Sequence, residues 1–157
     1  MTEQDRQFML AAIEEAKKAF ALGEVPVGAV IVQDGNIIAR GYNLRETHKN
    51  AAAHAELLAI HAACDTLGGW RLPRCTLYVT LEPCPMCTGA IINSRIDRVV
   101  FGAYDPKAGS CGSLVDLFAL PYNHQPECEG GVLEQECATL LSDFFRQLRE
   151  KRKAGSR

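Results

Sequence analysis

The sequence contains no apolar run near the roughly 20 residues that a membrane-spanning helix needs, so no membrane partner is expected. It also has little net charge, because 17 Lys and Arg face 19 Asp and Glu, giving a formal charge of −2. That balance excludes nucleic-acid binding through bulk positive charge but leaves a local basic patch open. The first residues are polar and acidic, unlike a signal peptide. We therefore expect a cytoplasmic protein.

Cysteine occurs seven times, an odd number at scattered positions. In the reducing compartment expected above, this pattern argues against a framework of disulfides. Cys84 and Cys87 alone have the spacing of metal ligands. The other five are expected to be small buried residues of the core: Cys64, Cys75, Cys111, Cys128 and Cys137.

The length of 157 residues and the 47% apolar content suit a single domain over residues 1–157. Hydrophobic periodicity predicts four helices, over residues 9–20, 51–64, 85–94 and 133–148. It also predicts four strands, over residues 27–32, 37–42, 76–80 and 98–103. Asp34-Gly35 indicates a hairpin between the first two strands. A hairpin followed by strand–helix–strand crossovers predicts an α/β protein, a three-layer α/β/α domain with a mixed sheet.

Two short segments carry candidate metal ligands, His54-Ala55-Glu56 and Pro83-Cys84-Pro85-Met86-Cys87. Cys84 and Cys87 are three residues apart, so they share one face of a helix. The start of a helix lowers thiol pKa values and favours the thiolates that zinc needs. His54 has the same position on its own helix, so the two helix starts can meet at one edge of the sheet.

The number of candidate ligands favours a catalytic zinc over a structural one. His61 and Cys64 lie about 10–15 Å beyond His54 along the helix, and Cys75 begins the strand whose other end leads to Cys84. A structural zinc has four protein ligands, whereas a catalytic zinc keeps one position for water. Glu56 beside that position can take a proton from the water and pass it on. Alternatively, Glu56 merely complements the helix dipole.

The C-terminal residues 146–157 are strongly basic and follow Phe144-Phe145. In one interpretation, Arg149, Arg152 and their neighbours bind phosphates while Phe144 packs against an RNA loop. In the other, the segment is a solvated helix end whose cations complement the dipole.

The two ordered motifs, His54-x-Glu56 and Pro83-Cys84-x-x-Cys87, resemble those of zinc nucleoside and nucleobase deaminases. Within that superfamily the chain closely resembles the bacterial tRNA-specific adenosine deaminases, over about residues 2–152. No motif position departs from the family pattern. The blocks that carry the resemblance are residues 23–30, 43–47, 53–56, 80–87 and 140–145.

This resemblance implies a mainly five-stranded sheet and one Zn²⁺ per subunit, held by His54, Cys84 and Cys87, with no organic cofactor. It implies hydrolysis of adenosine to inosine at the wobble position 34 of a tRNA anticodon stem-loop, chiefly of an arginine tRNA. Glu56 is then the catalytic proton shuttle for attack at C6. The family enzymes are homodimers in which the tRNA loop touches both subunits.

The resemblance also implies contacts with the substrate. Asn43 would contact the flipped purine, and its amide can donate to a ring nitrogen, although its position equally suits a turn. The Ala55 N–H and the Pro83 carbonyl would bind the substituents of the reacting carbon. Asp105 would contact the backbone near the target nucleotide; without the resemblance, Asp105-Pro106 reads only as a turn.

Two other functions remain open from the residues alone. A deaminase of a free base or nucleoside, such as cytosine, cytidine or guanine, would use the same three ligands but would not need the basic C-terminal helix. A non-catalytic, metal-stabilised binding module would not need an open ligand position with Glu56 beside it.

Overall fold

The computed structural model describes residues 1–155, so residues 156–157 of the basic segment lie outside the described part of the chain. Within residues 1–155 no helix is long and apolar enough to cross a membrane. A short 3-10 turn covers Leu117–Ala119. The helices and strands, in chain order, are α1 (Glu3–Ala21), β1 (Gly28–Gln33), β2 (Asn36–Tyr42), α2 (Ala55–Leu67), β3 (Cys75–Leu81), α3 (Pro85–Asn93), β4 (Arg98–Ala103), β5 (Glu127–Glu129) and α4 (Glu134–Gly155).

The five strands form one mixed sheet in the order β2-β1-β3-β4-β5. β1 is antiparallel to both β2 and β3, while β4 is parallel to β3 and to β5. This arrangement confirms the five-stranded mixed sheet. The periodicity did not locate β5, because the strand has three residues and two of them are glutamates.

Helices cover both faces of the sheet, which confirms the three-layer α/β/α prediction. α1 and α4 pack on one face, and α2 and α3 on the other. Side chains alternate between the two cores along each strand. In β4, for example, Val99 and Phe101 join the core under α2 and α3, whereas Val100 joins the core under α1 and α4.

The start of α2 corrects the prediction of a helix from residue 51. Ala53 accepts a hydrogen bond from the Leu44 N–H and donates one to the Asn50 carbonyl, both at 3.0 Å, and residues 51–52 form a turn, so the helix does not begin here. His54 is extended, with ψ of 152°, and is the N-cap of α2. The alanines favour a helix locally, but these contacts with the preceding loop outweigh that preference.

The cysteines outside the metal motif are less uniform than expected. Cys75 and Cys137 are buried, and Cys64 and Cys111 are half-buried. Cys128 is exposed on β5, so its prediction as a buried residue is wrong, because an edge strand is covered on one side only. All seven cysteines are free.

A buried carboxylate joins α1 to the sheet. Asp5 accepts hydrogen bonds of 2.8 and 3.0 Å from the Arg98 guanidinium and one of 2.7 Å from the Tyr78 hydroxyl. The Arg98 hydrogen bond, aided by Tyr78, outweighs burial and holds the pKa of Asp5 well below its usual range. This network fixes the first helix over β3 and β4.

Replacing Asp5 by Asn is expected to lower the free energy of unfolding at pH 7 by about 2–3 kcal/mol. The loss is smaller than the ~3–5 kcal/mol typical of a broken buried pair, because Arg98 keeps Glu129 at 3.7 Å. The folded pKa of Asp5 is well below the unfolded value near 4, so its stabilisation is present above about pH 4 and is lost progressively as the pH falls from there towards the folded pKa. Urea unfolding should therefore show the gap between wild type and variant narrowing steadily as the pH falls below about 4.

The matched control for this comparison is Asp34→Asn, which breaks an exposed pair with Arg74 and should change stability by less than about 0.5 kcal/mol. An Asp5→Asn protein as stable as this control would contradict the role assigned to Asp5.

Candidate metal and active site

The starts of α2 and α3 bring three metal-ligating side chains together. His54 is the N-cap of α2 and Cys84 the N-cap of α3, with Cys87 in the first turn of α3. His54 Nδ1 lies 3.7 Å from Cys84 Sγ and 3.5 Å from Cys87 Sγ, and all three ligand atoms are within 4.8 Å of one another. The sequence motifs predicted this grouping.

The spacing of these atoms fits a tetrahedral zinc ion. Zn–S distances of about 2.3 Å and Zn–N distances of about 2.0–2.1 Å place a nitrogen and a sulfur ligand about 3.5–3.6 Å apart. The two measured His54–cysteine separations match that edge length. A search of residues 1–155 for three or more His, Cys, Asp or Glu side chains close enough to hold a metal finds this group.

The sequence-based exclusion of a fourth ligand agrees with the structure. His61 is exposed and lies 3.6 Å from Asp65 on the surface of α2. Cys64 is directed at the Trp70 carbonyl, and Cys75 is buried at the far end of β3. The group therefore has the three protein ligands that are typical of a catalytic zinc.

The two cysteines of this group shift each other's pKa values in opposite directions. The Cys87 thiol, helped by His54, lowers the pKa of Cys84 to about 4 against the effect of burial. The same hydrogen bond with Cys84, together with burial, raises the pKa of Cys87. Without a metal, only one of the two neighbouring thiols loses its proton readily. A divalent cation bound between them would stabilise both thiolates.

Glu56 lies beside the ligand group and is only 4% exposed. Burial raises its pKa to about 7, and its carboxylate interacts with both Cys87 and His54. A residue that merely complemented the helix dipole would lie in solvent, whereas Glu56 is directed into the site. This placement favours the catalytic interpretation of Glu56.

A cavity of about 210 Å³ opens onto Glu56 and the metal ligands. The ends of β2, β3 and β4 and the starts of α2 and α3 surround it, together with the segment before β1. Its lining residues are Val25, Val27, Asn43, Arg45, His54, Ala55, Glu56, Leu81, Glu82, Cys84, Asp105 and Ala108.

Asn43 lines this cavity but its side chain also shapes the loop after β2. Its amide nitrogen donates to the Val25 carbonyl at 3.1 Å, and its oxygen accepts from the Arg45 N–H at 3.0 Å. One amide hydrogen is left to face a ligand. Both interpretations of Asn43, as a turn residue and as a base contact, are therefore compatible with its position.

Ala55 and Asp105 line the cavity, whereas the Pro83 carbonyl is already engaged. Ala55 begins α2, where helix geometry leaves N–H groups without helical partners. Asp105 accepts from the N–H groups of Lys107 and Ala108, as the Asp-Pro turn predicts. The Pro83 oxygen accepts from the Ser110 N–H at 2.9 Å and from Thr88 Oγ1 at 3.4 Å, so its binding of substrate stays a prediction.

Phe144 was expected to pack against an RNA loop, but the structure buries it. This ring is 7% exposed and packs edge-on against Phe20 and Phe145, at 5.6 and 5.4 Å between centroids. It therefore belongs to the contact between α4 and α1 and offers no open face to RNA. Phe145 is the exposed ring of the pair.

The predicted basic residues Arg149 and Arg152 are exposed on the last turns of α4. Before α4 reaches these turns, its Phe144 contacts Phe20 near the C-terminus of α1.

Two buried glutamates that shape the cavity were missed by the sequence analysis. Glu24 accepts from the N–H groups of Glu46 and Thr47, at 3.1 and 2.6 Å, and so holds the loop that follows Asn43. Burial opposes ionisation of Glu24, but the Thr47 and Glu46 donors prevail and lower its pKa.

Glu82 performs a similar task on the opposite wall. Its carboxylate accepts from the N–H groups of Asp105, Cys111 and Ser113 and from the Ser113 hydroxyl. These donors outweigh burial and hold its pKa below the ordinary value. The sequence offered one sign of this role: Glu82 lies between the buried strand β3 and the metal motif at Pro83-Cys84, where a glutamate side chain cannot reach solvent.

Comparison with known proteins supplies the family. Residues 2–103 match the cytidine and deoxycytidylate deaminase zinc-binding region. The chain belongs to this family. The expected deaminase fold and zinc cofactor are thereby confirmed, with His54, Cys84 and Cys87 as the group that can bind the ion.

Two bacterial proteins similar to the chain over most of its length are tRNA-specific adenosine deaminases. It is 59% identical over 152 residues to the tRNA-specific adenosine deaminase of Bacillus subtilis (strain 168), covering 96% of this chain and 94% of that protein. It is 49% identical over 154 residues to the tRNA-specific adenosine deaminase of Haemophilus influenzae, covering 97% and 89%.

Solved structures of the family superpose well on the chain. A structure from work on A-to-I editing by tRNA:A34 deaminases has a TM-score of 0.83 and 46% identity, covering 86% of this chain and 99% of that chain. The guanine deaminase from Nitrosomonas europaea has a TM-score of 0.74 and 25% identity, covering 88% and 83%.

Proposed function

We propose that the chain is a single deaminase domain that hydrolyses adenosine to inosine at the wobble position of a tRNA anticodon, chiefly in an arginine-accepting tRNA. The observation that carries the proposal is a His–Cys–Cys metal group beside buried Glu56, in a chain 59% identical to a tRNA-specific adenosine deaminase. We also propose a cytoplasmic location, which suits seven free cysteines and a tRNA substrate.

In this proposal, His54, Cys84 and Cys87 hold the zinc ion. Zinc bound there lowers the pKa of water to about 7 and so supplies a nucleophile at neutral pH. Glu56 takes the proton that the attacking water loses and delivers it to N1 of the purine. The water oxygen thereby becomes a hydroxyl bonded to C6. Glu56 then takes the proton of that hydroxyl and delivers it to the amino group on C6, so that the C–N bond breaks, the C6 carbonyl of inosine forms and ammonia leaves.

The cavity suits one base removed from its stack. Its volume of about 210 Å³ is below the ~300–1,000 Å³ of sites for drug-sized ligands, so a flipped base fills it while the rest of the RNA stays outside. Leu81, Val25 and Val27 give it apolar walls. We propose that Asn43 and the Ala55 N–H bind polar atoms of the base, with Asp105 near the backbone of the target nucleotide.

A homodimer is the expected working form. Exposed apolar side chains occur on α3 at Met86 and on the neighbouring segment at Leu114 and Val115, with exposed fractions of 40, 65 and 43%. A second copy that covered these residues would lie next to the segment held by Glu82. Such a dimer lets one tRNA loop touch both subunits.

The test of the proposed reaction is a comparison of substrates with the zinc-loaded protein. An anticodon stem-loop with adenosine at the first anticodon position should yield inosine. Free adenosine should react at least about 100-fold less efficiently, because the energy of binding the remote RNA is used at the reacting carbon.

The second candidate, a free-base or nucleoside deaminase, is favoured by the structural similarity to guanine deaminase. It predicts efficient turnover of guanine, cytosine or cytidine and none of the stem-loop. That result would overturn the tRNA proposal while leaving the zinc site intact.

Glu82→Gln is expected to lower kcat/KM for the stem-loop by about 10–100-fold with zinc content unchanged. A glutamine of the same size replaces one acceptor oxygen by a donor that faces N–H groups, so the segment at Asp105 shifts, and small misplacements cost up to about 100-fold. Steady-state kinetics and metal analysis measure this effect.

Glu127→Gln on the exposed face of β5 is the matched control and should behave as wild type. If Glu82→Gln also had wild-type kinetics, its carboxylate would not position the cavity wall.

The basic end of α4 is expected to bind RNA phosphates without taking part in the chemistry. Replacing Arg149, Lys151 and Arg152 with Ala should weaken stem-loop binding. It should also flatten the plot of log affinity against log salt by about 0.7–0.9 per lost contact. Turnover at saturating RNA should change little. Stem-loop affinity at three salt concentrations measures this.

A control variant replaces Arg6, Lys17 and Arg74, three exposed cations in surface ion pairs, and should leave the slope unchanged. Equal affinity and slope for both triple variants would identify the end of α4 as a solvated helix terminus.

A further inference from the structure

One arginine stands out among the residues around the cavity that opens onto the metal group. Of the described residues that line this cavity, Arg45 is the one lysine or arginine, and it accompanies the three carboxyl groups of Glu56, Glu82 and Asp105. The Arg45 side chain is 49% exposed, whereas Glu56 and Glu82 are buried. The guanidinium therefore belongs to the open rim of the cavity and not to its floor.

The backbone on both sides of Arg45 is held in place by hydrogen bonds. Its N–H donates to Asn43 Oδ1 and its carbonyl accepts from the Asn50 N–H, both at 3.0 Å. Buried Glu24 accepts from the N–H groups of the two residues that follow Arg45. A ligand that binds the guanidinium does not have to order this loop, so less conformational entropy is lost on binding.

The Arg45 guanidinium can exchange its present partner for an anionic ligand. Its ion pair with Glu46 is long, at 3.9 Å from Nε, and the Glu46 side chain is 78% exposed. Exposed pairs of this kind contribute little to stability, so an incoming anion can replace the carboxylate at small cost. Glu24 does not compete for the guanidinium as strongly as an unpaired carboxylate would, because its two oxygens already accept backbone donors.

We propose that Arg45 forms a phosphate subsite at the rim of the cavity, where its guanidinium binds a phosphate next to the target nucleotide. The inference rests on the proposed function, in which the cavity of about 210 Å³ takes the base and leaves the sugar and its phosphates at the rim. A phosphate that approaches this rim meets several carboxyl groups and needs a cation beside it. Arginine supplies that charge together with paired N–H donors that fit two phosphate oxygens.

The experiment measures the binding of anticodon stem-loops in which one phosphate has been made neutral. Two RNAs carry a methylphosphonate in place of the phosphate on the 5′ or on the 3′ side of the target adenosine. The zinc-loaded Glu56→Gln protein is used, so that the RNA is not consumed during the measurement. One of the two neutralised RNAs should bind about 10-fold more weakly than the unmodified RNA, because a charge-assisted contact is lost.

A second substitution in the same protein identifies Arg45 as the partner of that phosphate. Arg45→Ala should weaken binding of the unmodified RNA about 10-fold, and neutralising the phosphate should then cost nothing further, since the two changes remove one contact. Arg45→Ala should also flatten the plot of log affinity against log salt by about 0.7. Arg45→Lys keeps the charge without the paired donors, so it should preserve the slope and recover part of the affinity.

Steady-state kinetics separate a binding role of Arg45 from a general disturbance of the site. In the enzyme that keeps Glu56, Arg45→Ala should raise KM for the stem-loop about 10-fold and change kcat less than about threefold, because the contact is made before and during the reaction alike. Zinc content should equal that of wild type. A structural disturbance would instead lower kcat and zinc content together.

Arg74→Ala is the matched control. Arg74 is 64% exposed and pairs with Asp34, and it precedes the start of β3, whereas Leu81 at the end of β3 lines the cavity. This variant should bind the unmodified and the neutralised RNAs as the protein with both arginines does.

The outcomes separate this inference from the proposed function. The phosphate subsite is overturned if neither neutralised RNA binds more weakly, or if neutralisation costs as much in Arg45→Ala as in the protein that keeps Arg45; the deaminase proposal then stands. An Arg45-dependent phosphate contact in a protein that forms no inosine would overturn the proposed reaction alone. A protein that binds no stem-loop would overturn both.

Discussion

Glu56→Gln is expected to reduce turnover of an anticodon stem-loop by about 10²–10⁴-fold or more, while zinc content and thermal unfolding stay close to wild type. General acid–base groups contribute on that scale, and a single carboxylate would serve two proton transfers here. Glutamine keeps the size of the side chain but cannot carry the proton. The reaction is best followed by inosine formation at saturating RNA, alongside metal analysis of the same samples.

The control is Glu46→Gln, on the exposed part of the loop after β2, where the side chain is 78% exposed. It should retain wild-type turnover. A Glu56→Gln enzyme within tenfold of wild type would show that Glu56 acts only through the helix dipole.

Cys87→Ala is expected to lower bound zinc from about one ion per chain to almost none, and activity should disappear with it. The group has three protein ligands, so removing one leaves His54 and Cys84, too few to retain zinc against dilution. Elemental analysis of the purified proteins measures the metal directly. The loss of zinc should be larger than the loss caused by replacing any single cysteine outside the group.

Cys64→Ala provides that comparison, because Cys64 is half-buried on α2 and outside the metal group. Equal zinc contents in wild type, Cys64→Ala and Cys87→Ala would reject the assigned ligand set.

The sequence predicted most of the fold because the main elements bury regular stripes of apolar residues. The β1–β2 hairpin, α3 and β4 lie within one residue of the predicted positions, and α1 ends as predicted but begins at Glu3, six residues before the predicted start at residue 9. Two features escaped because tertiary contacts decide them. Residues 51–52 form a turn, followed by Ala53 bonded to Leu44 and Asn50, and β5 exists because its backbone pairs with β4.

The metal group was predictable because its ligands occur at fixed spacing on two helix starts, and spacing survives in the sequence. The supporting glutamates, Glu24 and Glu82, were not, because their partners are backbone N–H groups 22 to 31 residues away, which carry no residue-type signal. Phe144 shows the opposite error, since an aromatic pair beside basic residues resembles an RNA-binding surface until the contact with Phe20 buries one ring.

Sequencing the anticodon loops of tRNA after incubation with the purified, zinc-loaded protein tests the central claim most directly. Inosine is read as guanosine, so the expected result is an adenosine-to-guanosine change at the first anticodon position, chiefly in arginine-accepting tRNA, and its absence with Glu56→Gln. No change at that position, or an equal change with the Glu56→Gln protein, would contradict the assignment of this cavity as a tRNA adenosine deaminase site.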